Sequence, residues 1–128
     1  MYLRLTDEQK MVQETIRKFV REELFPLENE VLKNEREGKP SISNEKLKEV
    51  RLKAKEFGFW GINTPEEYRG ANLGQMMMAL VLMEISKTFV PFSFGGSADN
   101  ILYYANEEQK KKYLIPTING DKKSCFAM

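Results

Sequence analysis

The sequence predicts an all-α domain, an up-and-down orthogonal bundle of about five or six helices that ends in a stub of β-strand. Apolar residues recur at helical spacing through most of the chain, and residues that begin or end helices lie between these stretches. Residues 124–128 alone have the pattern of a strand. We therefore assign residues 1–122 to a helical domain and residues 123–128 to the first strand of a further domain.

Composition and charge exclude several kinds of protein. The 128 residues are enough for one domain with its own core. The net charge is only +1, so no overall field favours nucleic acid or an anionic membrane. The longest apolar run, residues 76–83, is too short to span a bilayer. The N-terminus lacks a signal-peptide pattern and one cysteine cannot form an internal disulfide, so we expect a cytoplasmic protein.

The residues needed for several kinds of catalysis are missing from the sequence. It contains no histidine, which argues against a self-contained hydrolase or a catalytic zinc site. The phosphate-binding motifs GxxxxGK[ST] and GxGxxG are both absent, so a stand-alone NTPase is not expected. Cys125 cannot build a thiolate metal site by itself. We predict no catalytic residue and no metal ligand in this chain.

A capping box opens the first helix. The Thr6 hydroxyl and the Gln9 side chain can each satisfy a free amide of the first turn. Apolar residues then recur at helical spacing: Val12, Ile16, Phe19, Val20 and Leu24. Pro26 would cost about 3 kcal/mol inside a helix, so we expect the helix to kink or break there.

The second helix follows a loop at residues 35–44 that contains glycine, proline and two serines. Asn44 or Ser43 is the expected N-cap. The apolar stripe of this helix comprises Leu47, Val50, Ala54 and Phe57. Gly58 stands where a left-handed C-cap is required, so we expect the helix to end there.

Residues 75–89 have almost no polar face before Glu84, which predicts a helix surrounded by others. We interpret the methionines at 76–78 as core filler. Because an unpaired buried carboxylate is costly, Glu84 is expected to have an Arg or Lys partner, or a backbone cap, rather than to act as a base. Glu67 is interpreted as a loop residue that packs against its neighbours.

In the rest of the chain, residues that end helices alternate with short stretches of helical pattern. Pro91 ends the preceding helix, and two glycines lead into an apolar stretch at residues 101–104. A capping-box pattern at residues 106–109 begins another helix, whose lysines 110–112 form a solvated end. The strand predicted at residues 124–128 cannot satisfy its own backbone groups, so we expect its partner outside this chain.

The order and spacing of these pieces resemble the N-terminal helical domain of the flavin-dependent acyl-CoA dehydrogenases. Single pieces are weak signals, but together they cover essentially the whole chain. The matching pieces are LTDEQ at residues 5–9, FVREEL at 19–24, GINTPEEYRGA at 61–71, ALVLMEIS at 79–86, EEQKKKYL at 107–114 and CFAM at 125–128.

The resemblance implies an enzyme of fatty acid metabolism that acts on acyl-CoA. In such enzymes a helical domain, a β-barrel-like middle domain and a second helical domain assemble as a homo-oligomer, commonly a tetramer. FAD lies between the middle and C-terminal domains and beside a neighbouring subunit. A C-terminal glutamate takes the α-proton, the β-hydride passes to the flavin, and an electron-transferring flavoprotein accepts the electrons.

On this resemblance the chain supplies a wall of the acyl pocket and not the catalyst. It ends before the Thr-Glu-Pro run that usually follows residues 125–128 in the family, so we expect the isolated chain to bind no FAD and to be inactive. Residues 123–128 would be the first strand of the middle β-domain. The alternative, a function of a different class, is a stand-alone helical module that docks on a partner chain by strand addition.

The resemblance also implies candidate site residues. Four would lie on the helix that lines the acyl pocket: Phe92, Gly95, Gly96 and Asp99. Two would lie beside the flavin and the thioester: Phe126 and Met128. The glycines would leave volume for substrate, although they are equally consistent with a loop and a helix start. An aspartate is unusual in an apolar tunnel, so a plain straight-chain acyl group is disfavoured if it faces the pocket.

Overall fold

The computed structural model describes residues 4–125, and within them it contains helices and loops but no β-strand. The prediction of an all-α domain is therefore confirmed. The helices are α1 (Asp7–Phe19), α2 (Glu28–Arg36), α3 (Asn44–Glu56), α4 (Gly74–Ile85), α5 (Asn100–Tyr103), α6 (Glu107–Gln109) and α7 (Ile115–Asn119). Residues 123–125 have no regular structure, and residues 126–128 lie outside the described part, so the terminal strand stays a prediction.

The chain from α1 to α2 remains helical past the proline. The capping box is present: the Gln9 amide donates to the Thr6 hydroxyl, and the Thr6 amide donates to the Gln9 side chain. After α1 the hydrogen bonding changes to a π-helical turn at Val20–Leu24 and then a 3₁₀ turn at Phe25–Leu27. Pro26 has no amide proton, so the regular ladder is interrupted without ending the helical path.

The ends of α3 follow the sequence prediction. Ser43, not Asn44, is the N-cap, and its hydroxyl accepts the amide of Lys46 at 3.2 Å. At the other end Gly58 has φ of +81°. Its amide donates to Lys55, and the next amide donates to Ala54, both at 3.0 Å. This Schellman arrangement satisfies carbonyls that the helix leaves free, and it turns the chain into the loop that follows.

The core lies where α1 packs against α4 and where an aromatic cluster joins α1, the end of α3 and the residues before α5. Ring centroids in the cluster are 5.2–6.4 Å apart. Its members are Phe19, Phe57, Phe59, Phe92 and Phe94. Each such pair adds about 0.5–1.5 kcal/mol beyond the burial of apolar area, so the cluster ties distant parts of the chain together.

Helix α4 is not surrounded, contrary to the prediction from its composition. Only one face packs against the other described residues: Met77, Leu80, Val81 and Glu84. On the opposite face Leu82 and Met83 are each 58% exposed. The described residues therefore leave an apolar helix face uncovered. Composition alone could not distinguish this arrangement from full enclosure, because it does not specify how many neighbours a helix has.

The placement of the predicted pocket residues on a helix is wrong. Residues 91–99, here called the connecting segment, have no regular structure, and α5 begins only at Asn100. Gly96 has φ of +86°, which a right-handed helix does not allow. Asp99 has extended backbone before α5, and its side chain does not cap that helix. The backbone of this segment is instead held by another loop.

That loop comprises residues 58–73 and is here called the clamp loop. Its own hydrogen bonds fold it tightly: the Thr64 amide donates to Gly61 at 3.0 Å, and the Leu73 amide donates to Ile62 at 2.9 Å. The clamp loop also forms hydrogen bonds with the connecting segment. The Gly61 amide donates to Gly95 at 2.9 Å, and the buried Thr64 hydroxyl donates to the Gly96 carbonyl at 2.5 Å.

Gly96 is the tightest point of this junction. A Cβ atom placed on it would lie 2.2 Å from the Gly61 nitrogen and 2.6 Å from the Trp60 ring. Trp60 is itself fixed, because its indole N–H donates to the Ile118 carbonyl at 2.9 Å. The clamp loop, the connecting segment and α7 therefore meet around one glycine and one indole.

Replacing Gly96 with alanine should destabilise the protein strongly. The substitution Gly96→Ala both strains a positive φ and drives a methyl group into the Gly61 backbone, so we expect a loss of about 3 kcal/mol or more in the free energy of unfolding. Gly38→Ala is the matched control, since Gly38 has φ of +67° but open space around its missing Cβ. It should lose only about 1 kcal/mol. Equal losses in urea unfolding would show that the junction is not close-packed.

Candidate functional site

A cavity of about 310 Å³ lies between α4 and the connecting segment. Its apolar lining includes Met78, Val81 and Ile85 from α4, Phe92 and Phe94 from the connecting segment, and Tyr103 from α5. No charged side chain lines it. A cavity of this size and character suits a small apolar group.

The sequence builds this cavity from one helix face and one clamped segment. Residues 78, 81 and 85 are spaced three and four apart, so they fall on the same side of α4. The connecting segment cannot collapse onto them, because the clamp loop holds its backbone at Gly95 and Gly96. The cavity therefore depends on contacts made outside its own lining.

Polar groups also reach the cavity. Asn63, Ser93, Ser97 and Asn100 line it, and their side chains make no hydrogen bond to other described residues. These groups are available to a polar atom of a bound molecule. The arrangement fits a ligand that is mainly apolar and carries a few hydrogen-bonding atoms.

The residues predicted for the pocket divide into two sets. Phe92 and Gly95 line the cavity, whereas Gly96 and Asp99 do not. Gly96 is buried against Gly61 on the other side of the segment, and Asp99 is exposed. Phe126 and Met128 lie outside the described residues.

The structure gives a different reason for a glycine at position 95 from the one predicted. A Cβ on Gly95 would lie 2.4 Å from the Trp60 ring, so the small residue permits close packing on that side of the segment. Apart from Phe92 and Gly95, the lining residues were not predicted from the sequence, Met78 and Tyr103 among them. The helical period of α4 was the available signal for Met78, while nothing in the sequence indicated Tyr103.

Glu84 is buried on α4 and is fully partnered, as expected. Its side chain is 2% exposed and bridges α4 to α1. One carboxylate oxygen accepts from Gln13 at 2.9 Å and from Arg17 at 3.1 Å. The other accepts from Arg17 at 3.3 Å and from Lys87 at 2.5 Å.

The partners of Glu84 also decide its protonation. Burial by itself would raise the pKa of Glu84, but hydrogen bonds from Arg17, Lys87 and Gln13 together outweigh burial and lower that pKa below its ordinary value. The carboxylate is therefore charged at neutral pH. Both its oxygens are occupied and it does not line the cavity, so it is a structural anion.

Residues 4–125 lack two further kinds of feature. No group of three or more His, Cys, Asp or Glu side chains is arranged to hold a metal ion there. No helix in that range is both long enough and apolar enough to cross a bilayer.

Comparison of the sequence with known proteins identifies its family. A family profile described as "Acyl-CoA dehydrogenase, N-terminal domain" matches residues 6–121. The chain is 32% identical to the mitochondrial short-chain specific acyl-CoA dehydrogenase of Bos taurus, covering 97% of the chain and 29% of that protein. It is 35% identical to (R)-benzylsuccinyl-CoA dehydrogenase of Thauera aromatica, covering 91% and 32%. It is 33% identical to the mitochondrial isovaleryl-CoA dehydrogenase of Bos taurus, covering 97% and 29%.

The chain therefore spans less than a third of the length of these relatives. No solved structure matches it.

Removing the charge of Glu84 should remove a pH-dependent part of the stability. Because the folded-state pKa lies below the ordinary 4.5, the contribution is complete above about pH 4.5 and is lost as the pH falls through the folded-state pKa. Glu84→Gln should cost about 1–2 kcal/mol at pH 7, since the cations are half-exposed and can be rehydrated. Urea unfolding over a pH series measures this difference.

The matched control is Glu22→Gln, which changes an exposed acid without an ion pair among the described residues. Its effect should stay within about 0.5 kcal/mol at every pH. If Glu84→Gln and the unaltered protein gave parallel stability curves down to acid pH, the assigned ionisation of Glu84 would be wrong.

Proposed function

Because the chain belongs to the acyl-CoA dehydrogenase family, we propose that it forms a wall of the acyl pocket in an FAD-dependent acyl-CoA dehydrogenase. The activity proposed for the whole enzyme is α,β-dehydrogenation of an acyl-CoA thioester. The single observation that carries the pocket role is the uncharged cavity between α4 and the connecting segment.

The cavity suits the acyl part of such a thioester. Its walls are aliphatic and aromatic, and its polar groups are neutral, so an apolar chain can enter without displacing a charge. The unpaired side chains of Asn63, Ser93, Ser97 and Asn100 can hydrogen-bond the polar atoms of an acyl group. Phe92 and Gly95 keep their proposed place beside the substrate, while Gly96 and Asp99 act indirectly, through the position of the connecting segment.

The cavity between α4 and the connecting segment does not fit FAD. A flavin dinucleotide carries a pyrophosphate, and the cavity has no charged side chain to neutralise it. Phe126 and Met128, the residues proposed to approach the flavin, are outside the described range. We therefore assign no step of the reaction through FAD to residues 4–125.

The chain also supplies no base for removal of the α-proton. It has no histidine, and Glu84 is held as an anion by three donors away from the cavity. The groups that accept the proton and the hydride are proposed to belong to the rest of the enzyme. This chain orients the acyl group and excludes water from it.

The exposed apolar face of α4 supports the proposal that a partner binds there. Met76 and Met83 expose apolar area next to the cavity, and Leu82, which also lines the cavity, is 58% exposed. We propose that the remainder of the enzyme packs there and completes the pocket, with homo-oligomerisation and an electron-transferring flavoprotein as further partners of the whole enzyme. The same face favours the alternative of a separate helical module that docks on a partner chain.

A small acyl thioester should bind weakly in the cavity. We expect butyryl-N-acetylcysteamine, which lacks the nucleotide of CoA, to shift the methyl NMR signals of Met78 and Val81. Ala98→Leu fills the cavity that Ala98 lines and should reduce the affinity about tenfold or more. Ala79→Leu is the matched control, because Ala79 is exposed on the outer face of α4, and it should leave the shifts intact.

Shifts that persist in Ala98→Leu, or no shifts in the unaltered chain, would contradict the pocket role. In the same preparation, FAD should not be retained after desalting. A yellow protein that bleaches on addition of acyl-CoA would show that the chain itself binds flavin and oxidises the substrate.

A further inference from the structure

A second concave region lies on the opposite side of the connecting segment from the acyl cavity. It consists of two adjoining clefts of about 300 and 320 Å³. Both clefts are lined by Arg51, Trp60, Gly120 and Lys123, and we call them the Trp60 clefts.

The lining of the Trp60 clefts is strongly cationic. Five basic side chains line them and no acidic side chain does: Lys48, Arg51, Lys55, Lys122 and Lys123. The chain as a whole has a net charge of only +1, so this concentration is local. Within residues 4–125 none of the five forms an ion pair with a carboxylate, although other basic residues of the chain do.

The fold brings these charges together from two distant parts of the sequence. Residues 48, 51 and 55 are spaced three and four apart, so they share one face of α3. Lys122 and Lys123 come from the residues after α7. Unless an anion binds between them, their mutual repulsion is not offset.

Arg51 and Trp60 give the clefts a fixed centre. The Arg51 Nε atom is buried and has no hydrogen-bond acceptor among the described residues. Lys55 lies over the Trp60 ring, with its Nζ atom 4.0 Å from the ring centroid. The indole is held in place by its bond to Ile118, so Arg51 and Lys55 line the clefts beside a rigid side chain. The Lys122 ammonium instead donates to the Lys112 carbonyl at 3.0 Å.

We propose that the Trp60 clefts bind a phosphate or polyphosphate group. A guanidinium presents a planar fork of donors that matches phosphate oxygens, and the lysines add point charges around it. Concave walls lined by one sign of charge concentrate the field, which favours a compact anion of high charge. A nucleic acid would need a longer basic stripe than two clefts provide.

The source of the phosphate can be a CoA thioester or a free nucleotide. Ser93, Gly95 and Ser97 line both the acyl cavity and one of the Trp60 clefts, so the two sites share a wall. A molecule with an acyl group and a polyphosphate could contact both sites. This CoA source rests on the proposed function, whereas the phosphate site itself does not.

Titration of the complete chain with inorganic pyrophosphate, ADP and CoA tests the proposal. Trp60 is the only tryptophan, so its fluorescence reports on the clefts, with calorimetry as a second signal. We expect saturable binding that weakens as salt is added. Arg51→Gln and the exposed Lys123→Gln should each reduce the affinity for pyrophosphate about tenfold, while Arg51→Lys should retain more of it.

Lys18→Gln is the control, because Lys18 is exposed and lines neither cleft. Tighter binding of CoA than of ADP or pyrophosphate would identify the thioester as the source, and equal binding would identify a free phosphate compound. The proposal is overturned if none of the three probes binds, or if Arg51→Gln and Lys123→Gln bind as tightly as the unaltered chain. Binding of an acidic peptide in place of pyrophosphate would also overturn it, in favour of a protein partner.

Because pyrophosphate has no acyl group and butyryl-N-acetylcysteamine has no phosphate, failure at the clefts and failure at the cavity are separate results.

Discussion

The contact between the clamp loop and the connecting segment determines the rest of this structure. Two hydrogen bonds join the loop to the segment: one from the Gly61 amide to the Gly95 carbonyl, and one from the Thr64 hydroxyl to the Gly96 carbonyl. They satisfy carbonyls that a helix would otherwise use, so the connecting segment stays non-helical between two concave surfaces. The uncharged cavity lies on one side of it and the cationic clefts on the other. The connecting segment forms one wall of the cavity and one wall of the cleft lined by Ser93 and Ser97, so both depend on this contact.

A buried charge supports the opposite side of the cavity. Glu84 occupies the packed face of α4 while the cavity is lined by Val81 and Ile85 on the same helix. Because its donors come from α1 and from the end of α4, the carboxylate fixes the position of α4 against α1. Replacing one donor would leave a buried charge less well satisfied, which is why such networks resist rearrangement. One wall of the cavity is thus set by electrostatics and the other by backbone hydrogen bonds.

Local physical chemistry could be predicted from the sequence, and long-range contacts could not. The caps at Thr6, Ser43 and Gly58 depend only on nearby residues, and the expected partnering of Glu84 follows from the cost of burying a charge. The resemblance placed four residues of the connecting segment on a helix, whereas the structure has the loop before a helix start that its glycines also allowed. The path of the segment depends on hydrogen bonds from residues about thirty positions earlier, a separation that no local pattern reports. The exposed face of α4 was missed for a similar reason. The clefts around Trp60 require α3 and the residues after α7 to meet, which spacing along the chain does not reveal.

Amide hydrogen exchange in Thr64→Val tests most directly whether the Thr64 hydroxyl holds the connecting segment in place. Valine keeps the shape of threonine but removes the donor to Gly96, so about 1–3 kcal/mol of stability should be lost. Exchange at the Gly61 amide should then accelerate more than exchange at Val20 in the helical core. Thr64→Ser, which retains a hydroxyl, should protect Gly61 better than Thr64→Val does. The opposite result would be an unchanged stability and a Gly61 amide that exchanges as slowly in Thr64→Val as in the unaltered chain. The hydrogen bonds of the clamp loop would then not determine the shape of the cavity and the clefts.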